Sequence, residues 1–226
     1  MNPQSSPFWS WAGAGLRQLG RHRLTPWLIA GAGAAAATAT AMQWPGDRPV
    51  APVHTATADT ADPVRRSTVR YRLSPELRLQ RADGGTLPLQ QALFDGRPVV
   101  LSFMYSSCAT VCPVTNQTLV AFETLLGDER SRVNTVSVSI DPDHDSVRAL
   151  ADYARRTGGR GSYFTADPGT SEAVQRSFDV WRGDKMNHQP VFLLALEPGR
   201  PWVRLEGLVS PRRLRDELAR LRAGAG

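Results

Sequence analysis

Three apolar runs, separated by helical patterns, constrain what this chain can fold into. The runs are RPVVLSFMY at 97–105, RVNTVSVSI at 132–140 and PVFLLAL at 190–196. The first and third are nearly continuous apolar segments, and the second alternates valine and isoleucine with polar residues; both patterns are typical of strands. Helical spacing of apolar residues, bounded by serine, aspartate or glycine, is found at 113–126, 145–159 and 210–222. This order predicts an α/β sandwich of layers around a mixed sheet.

Shorter segments extend the same pattern. The segment ELRLQRADGGTLPL (76–89) predicts two short strands joined by an Asp-Gly-Gly turn. Residues 89–96 predict a helical turn that ends at Gly96, and residues 170–180 predict a further short helix. The segment PWVRLEG (201–207) predicts a strand that forms a hairpin with the third apolar run.

The N-terminal region differs from the rest of the chain. Residues 25–44 carry no charge and are bracketed by two tryptophans. The stretch from Trp27 to Trp44 has 18 residues, or roughly 27 Å as a helix. That length suffices to cross a bilayer core, and the arginines before it favour a cytoplasmic N-terminus. The small residues ending at Ala41 keep a cleaved signal peptide open as the alternative. Both interpretations place the main domain outside the cytoplasm.

These features divide the chain into four parts. We expect a cytoplasmic segment at 1–24, a single-pass inner-membrane anchor at 25–44, and a flexible linker at 45–68 with four prolines. The main domain at 69–226 would then lie in the periplasm or another extracytoplasmic space. The net charge of +6 is carried by scattered arginines and accompanies no nucleic-acid-binding motif, so a nucleic-acid partner is not expected.

The chain has only two cysteines, Cys108 and Cys112, placed between the first apolar run and a helix. Pro113 suits the first helical position, which would put Cys112 at or near the N-cap. The partial positive charge of a helix start favours a thiolate there. Three uses of the pair remain open at this point: a structural disulfide, thiol–disulfide exchange, or a site for a soft metal such as copper.

A third ligand would most simply be a histidine. His188 immediately precedes the third apolar run, and it can approach the cysteines only if that strand runs antiparallel to the first. His144 lies in an aspartate-rich loop that lacks the spacing of a calcium site. In that loop we expect Asp145 or Ser146 to cap a helix and Asp141 to form a turn. Met186 is a further soft donor, expected instead to pack on Trp181.

The segments FMYSSCATVCPVT, VSIDPDHDS and NHQPVFLL resemble, in order and spacing, the Sco/SenC family of thioredoxin-like copper-delivery proteins. The resemblance spans roughly residues 72–222. It implies a thioredoxin-like three-layer sandwich that follows an N-terminal transmembrane helix. It also implies that Cys108, Cys112 and His188 bind one copper ion, as Cu(I) or Cu(II). The resemblance implies delivery of copper to the dinuclear centre of cytochrome c oxidase subunit II, or action there as a thiol reductant.

The chain departs from the family pattern on both sides of the candidate site. Ser106 and Ser107 stand where an aromatic residue or threonine followed by histidine is usual, and Gln189 and Pro190 follow His188. Pro190 suits the position of the proline that packs over the disulfide in thioredoxins. A membrane-tethered thiol–disulfide oxidoreductase, with Cys108 and Cys112 as its redox pair, is therefore the alternative function. Whether the protein is an enzyme stays open, and His188 discriminates between the two functions.

Overall fold

The structure is a computed structural model, and it describes residues 64–224. The predicted cytoplasmic segment, the predicted anchor and residues 45–63 of the predicted linker lie outside the described residues. Within 64–224, no helix is both long enough and apolar enough to cross a membrane.

Eight strands form one mixed sheet in the order β1-β8-β7-β4-β5-β6-β2-β3. The strands β4, β5 and β6 are parallel, and β7 runs antiparallel to β4, as do the outer strands to their neighbours. The strands are β1 Arg65–Val69, β2 Arg78–Arg81, β3 Thr86–Pro88, β4 Val99–Met104, β5 Asn134–Ser139, β6 Ser162–Thr165, β7 Val191–Ala195 and β8 Trp202–Glu206. The predicted mixed α/β sheet is confirmed.

Helices cover both faces of the sheet. They are α1 Leu89–Leu93, α2 Val111–Leu126, α3 Val147–Thr157, α4 Pro168–Ser177 and α5 Pro211–Ala223, with 3₁₀ segments at Gly127–Arg132 and Lys185–Asn187. Successive residues of a strand face opposite sides, so Leu101 and Phe103 join the core under α1, α3 and α4, whereas Val100 joins the core under α2 and α5. The result is the predicted three-layer sandwich.

Turn and cap residues act largely as their types predict. Gly84 and Gly85 both have positive φ in the turn between β2 and β3, where the backbone conformation requires glycine. The Ser146 hydroxyl accepts a hydrogen bond from the Ala149 amide at 3.2 Å and caps α3, which ends at the left-handed Gly158. Asp145 is therefore not the cap, and its role is described below.

Two strands were not anticipated from the sequence. Strand β1 begins at Arg65, inside the segment expected to be linker, and pairs with β8. Its side chains are mostly exposed and include two arginines, so it has no apolar pattern. Strand β6 has only four residues, between two helices, and it pairs with β5 and β2. The folded domain therefore starts before the predicted boundary at Val69.

Candidate metal centre

The two cysteines lie where β4 passes into α2. The Cys108 amide donates to the carbonyl oxygen of Tyr105 at 3.2 Å, which closes a turn after the strand. Cys112 is the second residue of α2, and Thr110 takes the N-cap position that was predicted at or near Cys112. The amide of Cys112 points back and donates to the Sγ atom of Cys108 at 3.4 Å. The start of α2 thus provides a hydrogen-bond donor to the sulfur of Cys108.

This arrangement shifts the pKa values of the two thiols in opposite directions. Both are free and buried, with 8% of Cys108 and 1% of Cys112 exposed. Burial opposes ionisation of Cys108, but hydrogen bonds from Cys112 and Thr110 outweigh it and lower its pKa to about 6. Burial and the hydrogen bond to Cys108 raise the pKa of Cys112 to about 12. At neutral pH the thiolate is therefore on Cys108, and the helix start does not ionise Cys112 as the sequence had suggested.

His188 lies at the same edge of the sheet because β7 runs antiparallel to β4. Its Nε2 atom donates to the carbonyl oxygen of Phe103 at 3.0 Å. A carbonyl only accepts, so Nε2 carries the proton and Nδ1 keeps its lone pair. Burial lowers the pKa of His188 below its ordinary value, outweighing the hydrogen bond to Phe103. The imidazole is therefore neutral at pH 7, the form that binds metals.

The structure does not gather these donors into a finished metal site. Among the described residues, no group of three or more histidine, cysteine, aspartate or glutamate side chains is arranged to hold a metal ion. The donor types nonetheless suit copper, since sulfur ligands favour Cu(I) and imidazole suits both oxidation states. Holding one ion between Cys108, Cys112 and His188 requires a rearrangement of side chains at this edge.

Asp145 supports the cysteine loop and is not the predicted helix cap. Its carboxylate is fully buried and accepts hydrogen bonds from the amide of Ser106 at 3.0 and 3.2 Å, and from the Ser106 hydroxyl. The hydroxyl of Ser139, at the end of β5, donates to the same carboxylate at 2.6 Å. Asp145 therefore ties the loop that carries Cys108 to the neighbouring strand. The serine at position 106 was the available signal.

Asp141 forms the predicted turn and also a polar contact beside His188. Its carbonyl oxygen accepts from the amides of His144 and Asp145 at 3.2 and 2.9 Å. Its carboxylate pairs with Lys185 and lies 3.0 Å from Nδ1 of His144. Burial opposes its ionisation, but these two partners hold its pKa below the ordinary value. Asp141, Lys185 and His188 line a cleft of about 390 Å³.

Two further predicted residues have defined places. Met186 is 72% exposed, and its sulfur accepts a hydrogen bond from the Tyr105 hydroxyl at 3.6 Å, in place of the expected packing on Trp181. Pro190 is buried directly before β7, and its carbonyl oxygen accepts from the amide of Gly207 at 3.0 Å. Both residues flank His188, so the segment is held at its two ends.

A mixed sheet, a dithiol between a buried strand and a helix, and a buried proline before the antiparallel strand together define a thioredoxin-like domain. The family model described as SCO1/SenC matches residues 67–222. The chain belongs to the SCO1/SenC family, which confirms the resemblance seen in the sequence.

Solved structures with this fold come from bacteria, plants and yeast. ScoI of Bradyrhizobium japonicum with copper bound is 21% identical over 66% of this chain and 99% of that chain, with a TM-score of 0.56. ScoI of Arabidopsis thaliana with copper bound is 22% identical over 66% and 96%, with a TM-score of 0.57. Yeast Sco1 with copper bound is 17% identical over 67% and 93%, also at 0.57. No curated protein sequence matches significantly.

Proposed function

We propose that this protein is a copper metallochaperone whose two thiolates and one imidazole bind a single copper ion. The ligands are Cys108, Cys112 and His188, and the ion is cargo that the domain passes to an exported partner. By its family, that partner is cytochrome c oxidase subunit II, at its dinuclear copper centre; another exported copper protein is the alternative. Copper-bound structures of ScoI and yeast Sco1 support the choice of metal.

The observation that carries the proposal is the state of the three donors before any metal arrives. Cys108 presents a thiolate at neutral pH, and His188 presents a lone pair on Nδ1 while its other nitrogen is held by Phe103. Copper first meets the Cys108 thiolate; Cys112 then gives up its proton and adds the second sulfur. His188 adds the nitrogen that Cu(II) prefers. A partner with equal or softer donors can take the ion by exchanging these ligands one at a time.

A tethered location accompanies this function. We propose that residues 25–44 anchor the chain in the inner membrane, with the domain in the periplasm or another extracytoplasmic space. The uncharged segment between two tryptophans and the preceding arginines support this arrangement.

The asymmetry of the dithiol favours a second candidate function, thiol–disulfide exchange on cysteines of exported proteins. The Cys108 thiolate would attack a partner disulfide to form a mixed disulfide. Cys112 would then lose its proton and displace the partner, leaving two reduced thiols on the partner and a Cys108–Cys112 disulfide. This reaction needs no nitrogen ligand, so the contribution of His188 decides between the two functions.

Anaerobic titration of the reduced, purified full-length chain tests the proposal. We expect one equivalent of Cu(II) to produce strong sulfur-to-copper charge-transfer bands and one equivalent of Cu(I) to bind without them. In cells, Cys108→Ser and Cys112→Ser should each abolish both oxidase assembly and any disulfide-reductase activity. Absence of the bands, with no Cu(I) retained against a mild competitor, would refute copper binding and leave thiol exchange as the function.

A further inference from the structure

Lys185 is the only lysine among the 27 lysine and arginine residues of the chain. It opens the 3₁₀ turn Lys185–Asn187 that leads into His188. Its ammonium pairs with the buried carboxylate of Asp141 and lies 5.6 Å from the centroid of the Tyr105 ring. Since the Asp141 side chain is only 6% exposed, solvent and salt screen this pair less than a pair on the open surface.

These contacts join the three segments that meet at the candidate metal centre. Asp141 follows β5, and Tyr105 follows β4 and accepts a hydrogen bond from the amide of Cys108 at 3.2 Å. The carbonyl oxygen of Lys185 accepts from the amide of His188 at 3.1 Å. The hydroxyl of Tyr105 also donates to the sulfur of Met186, next in the chain after Lys185. Lys185 therefore connects the His188 segment to the loop that carries Cys108.

We propose that Lys185 is a positioning residue for copper, which holds the backbone of the His188 segment beside the cysteine loop. The inference rests on the proposed copper site and assigns it a support that the ligands themselves do not supply. With the backbone held, the rearrangement that completes the site is confined to side chains. A compact ammonium can meet the Asp141 carboxylate and the face of Tyr105 together, whereas the planar guanidinium of arginine has a different shape and donor geometry.

The expected effect is selective for the oxidation state of copper. Without Lys185, copper binding itself would have to order the His188 segment. That ordering lowers the affinity for copper, as removal of other residues that support metal ligands does. We expect Lys185→Met to weaken Cu(II) binding by about 10- to 100-fold and to change its charge-transfer bands. Cu(I) affinity should change less than about threefold, because a soft ion is satisfied by two thiolates.

A matched control is available on the same side of the domain. Arg176 pairs with Glu172 at 2.7 Å and stands 5.2 Å from the Trp181 ring, so Arg176→Met removes the same kinds of contact and the same charge. Neither of these Arg176 contacts involves the His188 segment. The Cu(II) affinity of Arg176→Met should therefore equal that of wild type. Lys185→Arg, which restores the charge but not the shape, should recover part of the lost affinity.

A second measurement needs no metal. Because the sequence has a single lysine, the only amines that an amine-reactive acylating reagent can modify are Lys185 and the N-terminal amine. The stable amide at the N-terminus serves as the internal reference, and hydroxylamine removes any thioester formed on cysteine. In metal-free protein we expect Asp141→Asn to speed acylation of Lys185 at least about threefold, since it weakens a largely buried pair. Equal acylation rates in wild type and Asp141→Asn would show that, in solution, Asp141 does not hold the Lys185 amine.

The copper titration of the full-length variants decides the inference. Selective loss of Cu(II) binding in Lys185→Met, with Arg176→Met unchanged, supports it. If wild type binds Cu(II) and Lys185→Met binds it equally well, the positioning role is overturned while the copper function stands. Equal loss of Cu(I) and Cu(II), together with a lower melting temperature, would instead show a general structural role. If wild type binds no copper, the function and this inference fall together.

Discussion

The Nε2 atom of His188 donates a hydrogen bond to the carbonyl oxygen of Phe103, 3.0 Å away, where β7 begins beside the end of β4. This bond fixes the tautomer of the ring, so that Nδ1 is the nitrogen available for a ligand. It also lies at the strand end that leads into the dithiol loop. The bond therefore orients the histidine that directly precedes β7, at the edge where Cys108 and Cys112 lie.

The lowered pKa of Cys108 predicts how its reactivity depends on pH. Its pKa is lowered to about 6, so its thiolate fraction rises between about pH 5 and pH 7, whereas Cys112 stays protonated there. Iodoacetamide should alkylate Cys108 with a half-maximal rate near pH 6 and leave Cys112 unmodified, as judged by mass spectrometry of peptides.

Replacing Cys112 with alanine provides the control. This change removes the thiol donor but keeps the backbone amide, so the half-maximal pH for Cys108 should increase. A wild-type midpoint near about 8.5, the value of an ordinary thiol, would show that Cys108 is not activated by its neighbour.

The buried carboxylate of Asp145 gives a prediction in stability. Asp145→Ala leaves the Ser106 amide and the Ser139 hydroxyl without their acceptor, and buried groups left unpaired in this way cost about 1–3 kcal/mol each. We expect the free energy of unfolding to fall by about 2–4 kcal/mol in chemical denaturation of the reduced protein. Asp143→Ala, at an exposed position two residues earlier, should change it by less than about 0.5 kcal/mol. Similar effects of the two variants would argue against the role assigned to Asp145.

The proposed location gives a prediction in cells. A reporter that is active only outside the cytoplasm, fused after residue 60 and therefore before β1, should be active and sediment with membranes. Recovery of a soluble chain that begins near Met42 would establish a cleaved signal peptide in place of an anchor. An inactive reporter would contradict export altogether.

The sequence predicted the central strands and the helices because their apolar spacing is local and strong. The antiparallel course of β7 was implied by the resemblance to a thioredoxin-like family, since the position of His188 alone leaves the strand direction open. Strand β1 could not be predicted, because its pairing with β8 depends on backbone contacts to residues far along the chain. Strand β6 is too short to show a period. Both strands depend on pairing with distant parts of the chain, and the strand-favouring Tyr163, Phe164 and Thr165 of β6 form too short a run to identify it alone.

The chemistry of the site was less predictable than its members. Asp145 precedes a helix, and an aspartate at such a position can cap the helix or act as a buried hydrogen-bond acceptor. Here it is a buried acceptor, because the fold places Ser106 against its carboxylate. Likewise, which cysteine ionises depends on the direction of the Cys112 amide, which a spacing of three residues does not specify. The contact between Lys185 and Asp141 joins residues 44 positions apart in the chain and leaves no local signal.

The most direct test of the copper site is a paired Cu(II) titration of wild type and His188→Ala under anaerobic conditions, followed by absorption spectroscopy. We expect wild type to hold one Cu(II) with strong charge-transfer bands. His188→Ala should keep much of its Cu(I) binding, because two thiolates suffice for a soft ion. With Cu(II), however, it should lose the bands and form the Cys108–Cys112 disulfide as the metal is reduced. If His188→Ala holds Cu(II) with unchanged bands, His188 is not a ligand, and the thiol-exchange function should replace the copper one.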